Sequence, residues 1–286
     1  MRTFRFVLLS FLSLILSACS VIKPKDSAAS SSDLIIKAEH FENLNACVLV
    51  FDQKSKQMIG VYGEARCKTR MAAASTFKWP LAVMAFDAGI LVDENTSMKW
   101  DGVNRSIESW NQDQTASSWM KNSVVWYSQR LTTKLGMSKV KKYLKDFNYG
   151  NEDMTGGLTT AWLTITKFDE SGNGTLKISA FEEMNFIRRF WEGDLQVSPE
   201  SIAKTKQLIH LEDSPSGYVF SGKTGSGYLD DLTGDFGWFV GHLEGKGREL
   251  FVVTTFTRKI RPTDAKYPGL LAKEKTKEIL KENSLW

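Results

Sequence analysis

The sequence predicts an α+β fold: an antiparallel sheet built from both ends of the chain and flanked by helices, with an all-helical region inserted between. Three observations carry this expectation. Near the beginning stand "CVLVFD" and "QMIGVYGE", apolar and β-branched runs joined by a short polar turn. Near the end stand "GYVFSGK", "GDFGWFVGHLE" and "RELFVVTTFTRK", separated by glycine-rich turns. Between them, from about residue 85 to 215, the signals are mostly helical. Strand formers at both termini with helices between them point to one sheet closed by its own ends.

The first eighteen residues stand apart from this plan. Arg2 and Arg5 precede an apolar run from Phe6 to Leu16, which is too short to span a membrane and reads as a secretory signal over residues 1–18. The run closes on "LSAC", which resembles the lipobox of bacterial lipoproteins and implies lipidation of Cys19; ordinary cleavage after Ala18 with Cys19 left free is the alternative. Ser20 in place of an aspartate implies, by the same resemblance, an outer-membrane destination facing the periplasm. Residues 19–33, "CSVIKPKDSAASSSD", are rich in Ser and Ala and read as a flexible tether. The folded domain is then expected over residues 34–286, which is 42% hydrophobic and 24% charged when counted over the whole chain. Loss of both signal arginines lowers the formal charge from +4 to +2, a balance that calls for no nucleic-acid partner and leaves lipid at Cys19 as the one membrane contact.

Within the domain, Cys47 and Cys67 lie around the first hairpin. In an oxidising compartment they close a disulfide worth roughly 3 kcal/mol, or else remain as two buried thiols; the residues leave both open. A long helical stretch follows and stops at Gly136, and "SKVKKYLKDF" is a short helix with lysines on its wet face. "ISAFEEMNFIRRFWEG" is amphipathic, with Phe181, Met184, Ile187 and Phe190 or Trp191 on one side, while Glu182 and Glu183 read as solvated charge. In "SPESIAKTKQLIHL", Ser198 is the expected N-cap and Pro199 the first helical residue. From residue 216 strands resume, and "LLAKEKTKEILKEN" closes the chain as a helix. The cleft between the sheet and the helical insertion is the default site.

The chemistry-bearing candidate is "STFK", with Ser75 three residues ahead of Lys78 at the opening of an apolar helix. Three residues apart on a helix share a face, so hydroxyl and amine come within reach, and Pro80 is tolerated only in a first turn. The pattern S-x-x-K also begins at Ser20, Ser118, Ser138 and Ser201, so it is not decisive alone. "GYVFSGKT" matches the P-loop pattern from Gly217 to Thr224. Tyr218, Val219 and Phe220 are strand formers where a tight loop is required, and a turn-rich segment rather than a helix follows, so nucleotide hydrolysis is only a remote alternative. His40, His210 and His242 are isolated, so no metal site is expected.

Taken together, Ser75 with Lys78, Ser123 with Val125 in "SVV", and Lys223, Thr224 and Gly225 in "KTG" follow in the chain order of penicillin-recognising serine enzymes. "STFK", "KWDG" at Lys99 to Gly102, "YGN" at Tyr149 to Asn151 and Trp162 in "GGLTTAWL" resemble the class D, oxacillinase-type serine β-lactamases, over about residues 45–245. The resemblance implies hydrolysis of the β-lactam ring of penicillin-type antibiotics through an acyl-enzyme on Ser75. It implies no cofactor other than carbon dioxide, taken up on Lys78 as a carbamate held by Trp162. It also implies that Ser123 relays a proton to the leaving nitrogen, that Lys223 supplies positive potential, and that backbone N–H groups of Ser75 and Ser226 form the oxyanion hole. Ser221 and Thr224 would bind the drug carboxylate. Many members place an arginine near the last helix for that carboxylate; "PGLLAKEK" has none, which leaves Arg258 or Arg261 as substitutes and the role open. A penicillin-sensing domain or a D,D-peptidase acylated at the same serine are the alternatives.

Overall fold

The computed structural model describes residues 34–164, 173–229 and 232–286. The predicted signal, the tether and Cys19 lie outside the described residues. In chain order the elements are β1 (Asn45–Asp52), β2 (Gln57–Tyr62), α1 (Glu64–Lys68), β3 (Met71–Ala72), a 3₁₀ turn (Ala74–Phe77) and α2 (Lys78–Asp87). There follow β4 (Ser97–Met98), β5 (Gln114–Thr115), α3 (Ala116–Asn122), α4 (Val125–Leu135), α5 (Met137–Phe147), β6 (Lys177–Ile178), α6 (Ala180–Glu192) and α7 (Pro199–Ile209). The chain ends with β7 (His210–Asp213), β8 (Val219–Tyr228), β9 (Asp235–Gly245), β10 (Arg248–Arg258) and α8 (Pro268–Glu282).

The main sheet has the order β2-β1-β10-β9-β8-β7, all antiparallel, so the first strand pairs with the last, Asn45 opposite Thr257 and Asp52 opposite Leu250. This is the sheet from both termini that the sequence predicts. The inner strands β1 and β10 read as nearly continuous apolar runs because both faces are covered there. One face, with Val50, Phe220, Phe239 and Val252, packs under Ala272 and Ile279 of α8. The other, with Leu49, Trp238, Val240 and Val253, packs on α2 and α6.

Two boundaries differ from the sequence reading. The helix begun at Ser198 stops at Ile209, because His210 turns extended and residues 210–213 pair with β8, so the sheet resumes before residue 216. The insertion is not purely helical either: the long stretch expected to run helical up to Gly136 carries only a 3₁₀ turn at Glu108–Trp110 over residues 99–113 and is broken between α3 and α4 by left-handed Ser123, while β4 pairs with β5, and β6 pairs back to β3. These two-residue ladders are too short to leave an alternating signature. The caps are where they are expected: Ser198 accepts a hydrogen bond from Ser201 N with Pro199 at the first position, and Gly136 (φ +77°) ends α4.

Cys47 and Cys67 form a disulfide, with Cα atoms 5.1 Å apart, which decides between the two states the sequence left open. Gly63 makes it reachable. At φ +65°, with its Cα side against the Ala46 carbonyl, it turns the chain from β2 into α1 so that Cys67 lies back on β1; a Cβ there would sit 2.0 Å from that oxygen. Replacing both cysteines by alanine should lower unfolding free energy by about 2–4 kcal/mol, read as a lower urea midpoint that reductant no longer changes, whereas reductant should shift the parent protein to the same value.

Candidate active site

The described residues bring most of the predicted site together around the start of α2. That helix is apolar nearly all round: Lys78 through Phe86 are all buried, including Lys78 at 0% exposure. The preceding 3₁₀ turn opens with Ala74 at φ +48°, a left-handed conformation that costs a non-glycine residue energy and lifts Ser75 off the helix path. Lys78 Nζ is hydrogen-bonded to Ser75 Oγ at 3.0 Å, the contact the spacing predicts.

The surroundings of Lys78 are dry. Its Nζ lies 5.1 Å from the Trp162 ring centroid, and Trp162 packs on Phe77 at 5.7 Å. Burial, reinforced by the nearby Lys223, holds the amine well below the usual lysine range. The Trp162 indole N–H is buried and has no protein partner. A donor left unpaired in such a place is costly; the indole N–H groups of Trp79 and Trp191 are in the same state.

Ser123 and Lys223 form the second wall. Ser123 closes α3 in a left-handed conformation, φ +57°, its N–H bonded to the Trp119 carbonyl. Lys223 Nζ donates to Ser123 Oγ at 3.1 Å and to the Thr224 carbonyl at 3.0 Å. Burial lowers Lys223 to about 7. The positive potential expected of it is therefore partial near neutrality. Residues 219–228 all lie in strand β8, paired along their length with β9, which removes the P-loop reading: no helix follows Thr224. Gly225 faces the serine turn, and a Cβ at this position would meet Thr76 Cγ2 at 3.2 Å and Thr76 N at 3.3 Å.

Other candidates fall elsewhere. Ser221 is buried on β8 opposite His242, and Val125 is the first residue of α4, half-buried. Ser226 Oγ accepts from Gly269 N at the start of α8, so its side chain is a tie between sheet and helix. Arg258 grips buried Asp235 through two 2.7 Å hydrogen bonds, with Arg261 at 3.6 Å from the same carboxylate, so both proposed substitutes for the missing arginine are already paired. Lys99 to Gly102 form an outer turn: Lys99 pairs with Asp113 and Asp101 with Arg105.

One expectation is overturned. Glu182 caps α6 and pairs with Arg70, but Glu183 is not solvated; it is 1% exposed, accepts from the Tyr149 hydroxyl at 3.0 Å and lies 2.7 Å from Thr76 Oγ1. Burial raises it to about 7. Adjacency to Glu182 suggested two wet side chains. The helical stripe Ala180, Glu183, Met184 and Ile187 carried the opposite signal, because steps of three and four share one face.

The penicillin binding protein transpeptidase domain model matches residues 46–281. β-Lactamase OXA-1 of Escherichia coli is 38% identical over 233 residues, covering 79% of this chain and 81% of that protein. Regulatory protein BlaR1 of Bacillus licheniformis is 32% identical over 202 residues, 71% of this chain but 32% of that longer protein. The solved structure of class D β-lactamase BAT-2 superposes with a TM-score of 0.76 at 31% identity, covering 88% of this chain and 97% of that one.

In Gly225→Ala the serine turn or β8 must give by a few tenths of an ångström. The change should cost about 1 kcal/mol of stability and lower kcat/KM by roughly tenfold, less than the loss a full 1 Å misplacement brings, measured by thermal melting and by turnover of whichever acyl substrate the enzyme takes; unchanged turnover would show that the turn absorbs the added carbon.

Proposed function

Since the chain belongs to the class D serine β-lactamases, within the penicillin-binding transpeptidase-domain family, and so hydrolyses the β-lactam ring, we propose that it does so through an acyl-enzyme on Ser75 with Lys78, carboxylated by carbon dioxide, as general base. The hydrogen-bonded Ser75–Lys78 pair with a dry amine carries this reading. A serine hydroxyl is a weak nucleophile until a neighbouring base takes its proton, and a cationic lysine cannot do that. Burial keeps Lys78 neutral, which is also the form that adds carbon dioxide. The residues present fit the modification: the Trp162 ring lies 5.1 Å from the amine and its indole N–H is unpartnered, a donor that a carbamate oxygen would use. When present, that group supplies an oxygen base for acylation and for activating water in deacylation.

The remaining residues divide the work. Lys223 holds Ser123 Oγ from one side, so a proton passed from Ser123 to the β-lactam nitrogen is replaced from Lys223, which burial has brought to about 7. Backbone N–H groups of Ser75 and Ser226 are assigned the developing oxyanion. Lys223, Thr224 and Ser221 lie along β8 where the substrate carboxylate is assigned, since Arg258 and Arg261 are committed to Asp235.

Export to the periplasm and anchoring through lipid at Cys19 complete the proposal, supported by the Arg2 and Arg5 charges, the apolar run and "LSAC". Likeness to BlaR1 favours one rival, a sensor that stays acylated.

A chromogenic cephalosporin should be turned over continuously by the purified protein, with a rate that falls when bicarbonate is stripped and returns on its addition, and Ser75→Ala should abolish it. A single stoichiometric burst would identify a sensor instead. In cells, Cys19→Ser should move the protein from the membrane pellet to the periplasmic extract and abolish incorporation of a labelled fatty acid; label retained in the variant would refute the anchor.

A further inference from the structure

Two features remain without a role: the buried acid Glu183 and the "YGN" tyrosine, Tyr149. They meet behind the nucleophile. Glu183 Oε1 lies 2.7 Å from Thr76 Oγ1 and accepts from the Tyr149 hydroxyl at 3.0 Å, and Thr76 Oγ1 is also 2.7 Å from the Ala73 carbonyl oxygen. Thr76 follows Ser75 directly, and Ala73 precedes the strained Ala74. Glu183 and Thr76 are each 1% exposed, and Tyr149 is fully buried.

The hydrogen count around Thr76 favours the protonated acid. Thr76 has one hydroxyl hydrogen and two oxygen neighbours at 2.7 Å, a carbonyl and a carboxyl. Were the carboxyl ionised, both neighbours would be pure acceptors, and the single Thr76 hydrogen would have to be shared between them. With the carboxyl protonated each contact can have its own hydrogen: Tyr149 donates to Glu183, the acid proton goes to Thr76, and Thr76 donates to Ala73. The chain runs one way and ends on the backbone of the serine turn.

We propose that Glu183 is held as a neutral carboxylic acid and is a positioning residue for Ser75, fastening the left-handed turn at Ala74 through Thr76 and the Ala73 carbonyl, so that ionisation of Glu183 releases the fastening and slows acylation. This rests on Ser75 being the nucleophile. Burial, the largest influence, and the negative charge of Glu182 oppose ionisation of Glu183, and they outweigh the hydrogen bonds with Thr76 and Tyr149, which favour it. The titratable and charged groups on the elements around it are Glu182, Arg188, Arg189 and Glu192 on α6, Glu64, Arg66 and Lys68 on α1, Arg70 before β3, Asp52 on β1, Tyr149 after α5, Lys78 and Asp87 on α2, Lys223 and Tyr228 on β8, Asp235, His242 and Glu244 on β9, and Arg248, Glu249 and Arg258 on β10; of these, Tyr149 and Glu182 act on it directly. Arg70 is occupied by Glu182, and Lys78 brings no positive charge, being neutral as the buried free amine and anionic as the carbamate.

The experiment follows carboxyl-labelled glutamate by NMR in the folded protein while the acylation rate constant is measured in single turnovers across the same pH range, in saturating bicarbonate. One glutamate should titrate near 7 rather than near the ordinary 4.5, and should be missing in Glu183→Gln. A group raised in this way adds stability below pH 4.5 that is lost as pH rises through about 7, so the melting temperature of Glu183→Gln should gain on that of the parent over that interval. The ratio of parent to Glu183→Gln acylation rates should fall by about tenfold across neutrality, a fraction of the ~10² that a 1 Å misplacement costs; the limb due to Lys223 is common to both and cancels. Tyr149→Phe removes a donor to the carboxylate and should move the NMR and kinetic midpoints upward together, which a purely structural contact would not do. Persistence of the NMR titration in Ser75→Ala separates this proposal from the assignment of the nucleophile. A glutamate titrating near its ordinary value in the parent, or a rate ratio flat with pH, overturns it; if Glu183→Gln does not fold, the parent NMR titration and the Tyr149→Phe shift decide.

Discussion

The architecture turns on one unfavourable act, the complete removal of Lys78 from water. An ammonium group in that position would cost several kcal/mol without a counter-charge, and no carboxylate is hydrogen-bonded to it among the described residues. The amine resolves the conflict by losing its proton. A residue that would ordinarily be a surface cation thus becomes a base one helical turn from a serine. Everything that keeps it dry is structural in origin: an apolar α2 with no polar face, and the aromatic pair of Phe77 and Trp162.

Around that dry amine the chain accepts local strain. Ala74 and Ser123 both adopt left-handed backbone conformations, and each is fixed by neighbours rather than by its own preference. Ser123 is held from the sheet by Lys223, and the turn at Ala74 is held from α6 through Thr76. The absence of a side chain at Gly225 allows β8 to approach the turn closely enough for both walls to face one substrate. The double-sided burial of the sheet supplies the stability against which these local costs are set.

Much of this plan is legible in the residues. Strand formers at the two termini are enough to predict the sheet, because a pattern of burial is a property of neighbouring positions along the chain. Ser75 and Lys78 meet as predicted since a helical turn is a local rule. Lys223 and Ser123 are one hundred residues apart, and only the family resemblance, not spacing, linked them. Glu183 was misread because two adjacent acids look like solvated charge, whereas its surroundings come from Thr76 and Tyr149, more than thirty positions away in each case. Arg258 and Arg261 stood as candidate anion binders until the fold placed Asp235 between them.

The sequence by itself determined the long strands of the main sheet, the longer helices α2, α5, α6, α7 and α8, and that a serine and a lysine share one turn, because hydrophobic periodicity, caps and glycine positions act over a few residues. Tertiary structure alone decided which of many ionisable side chains lose their water. Desolvation depends on atoms brought from distant parts of the chain, so the neutral lysine, the half-charged Lys223 and the buried acid behind the nucleophile came into being only when sheet, α2 and α6 closed on one another.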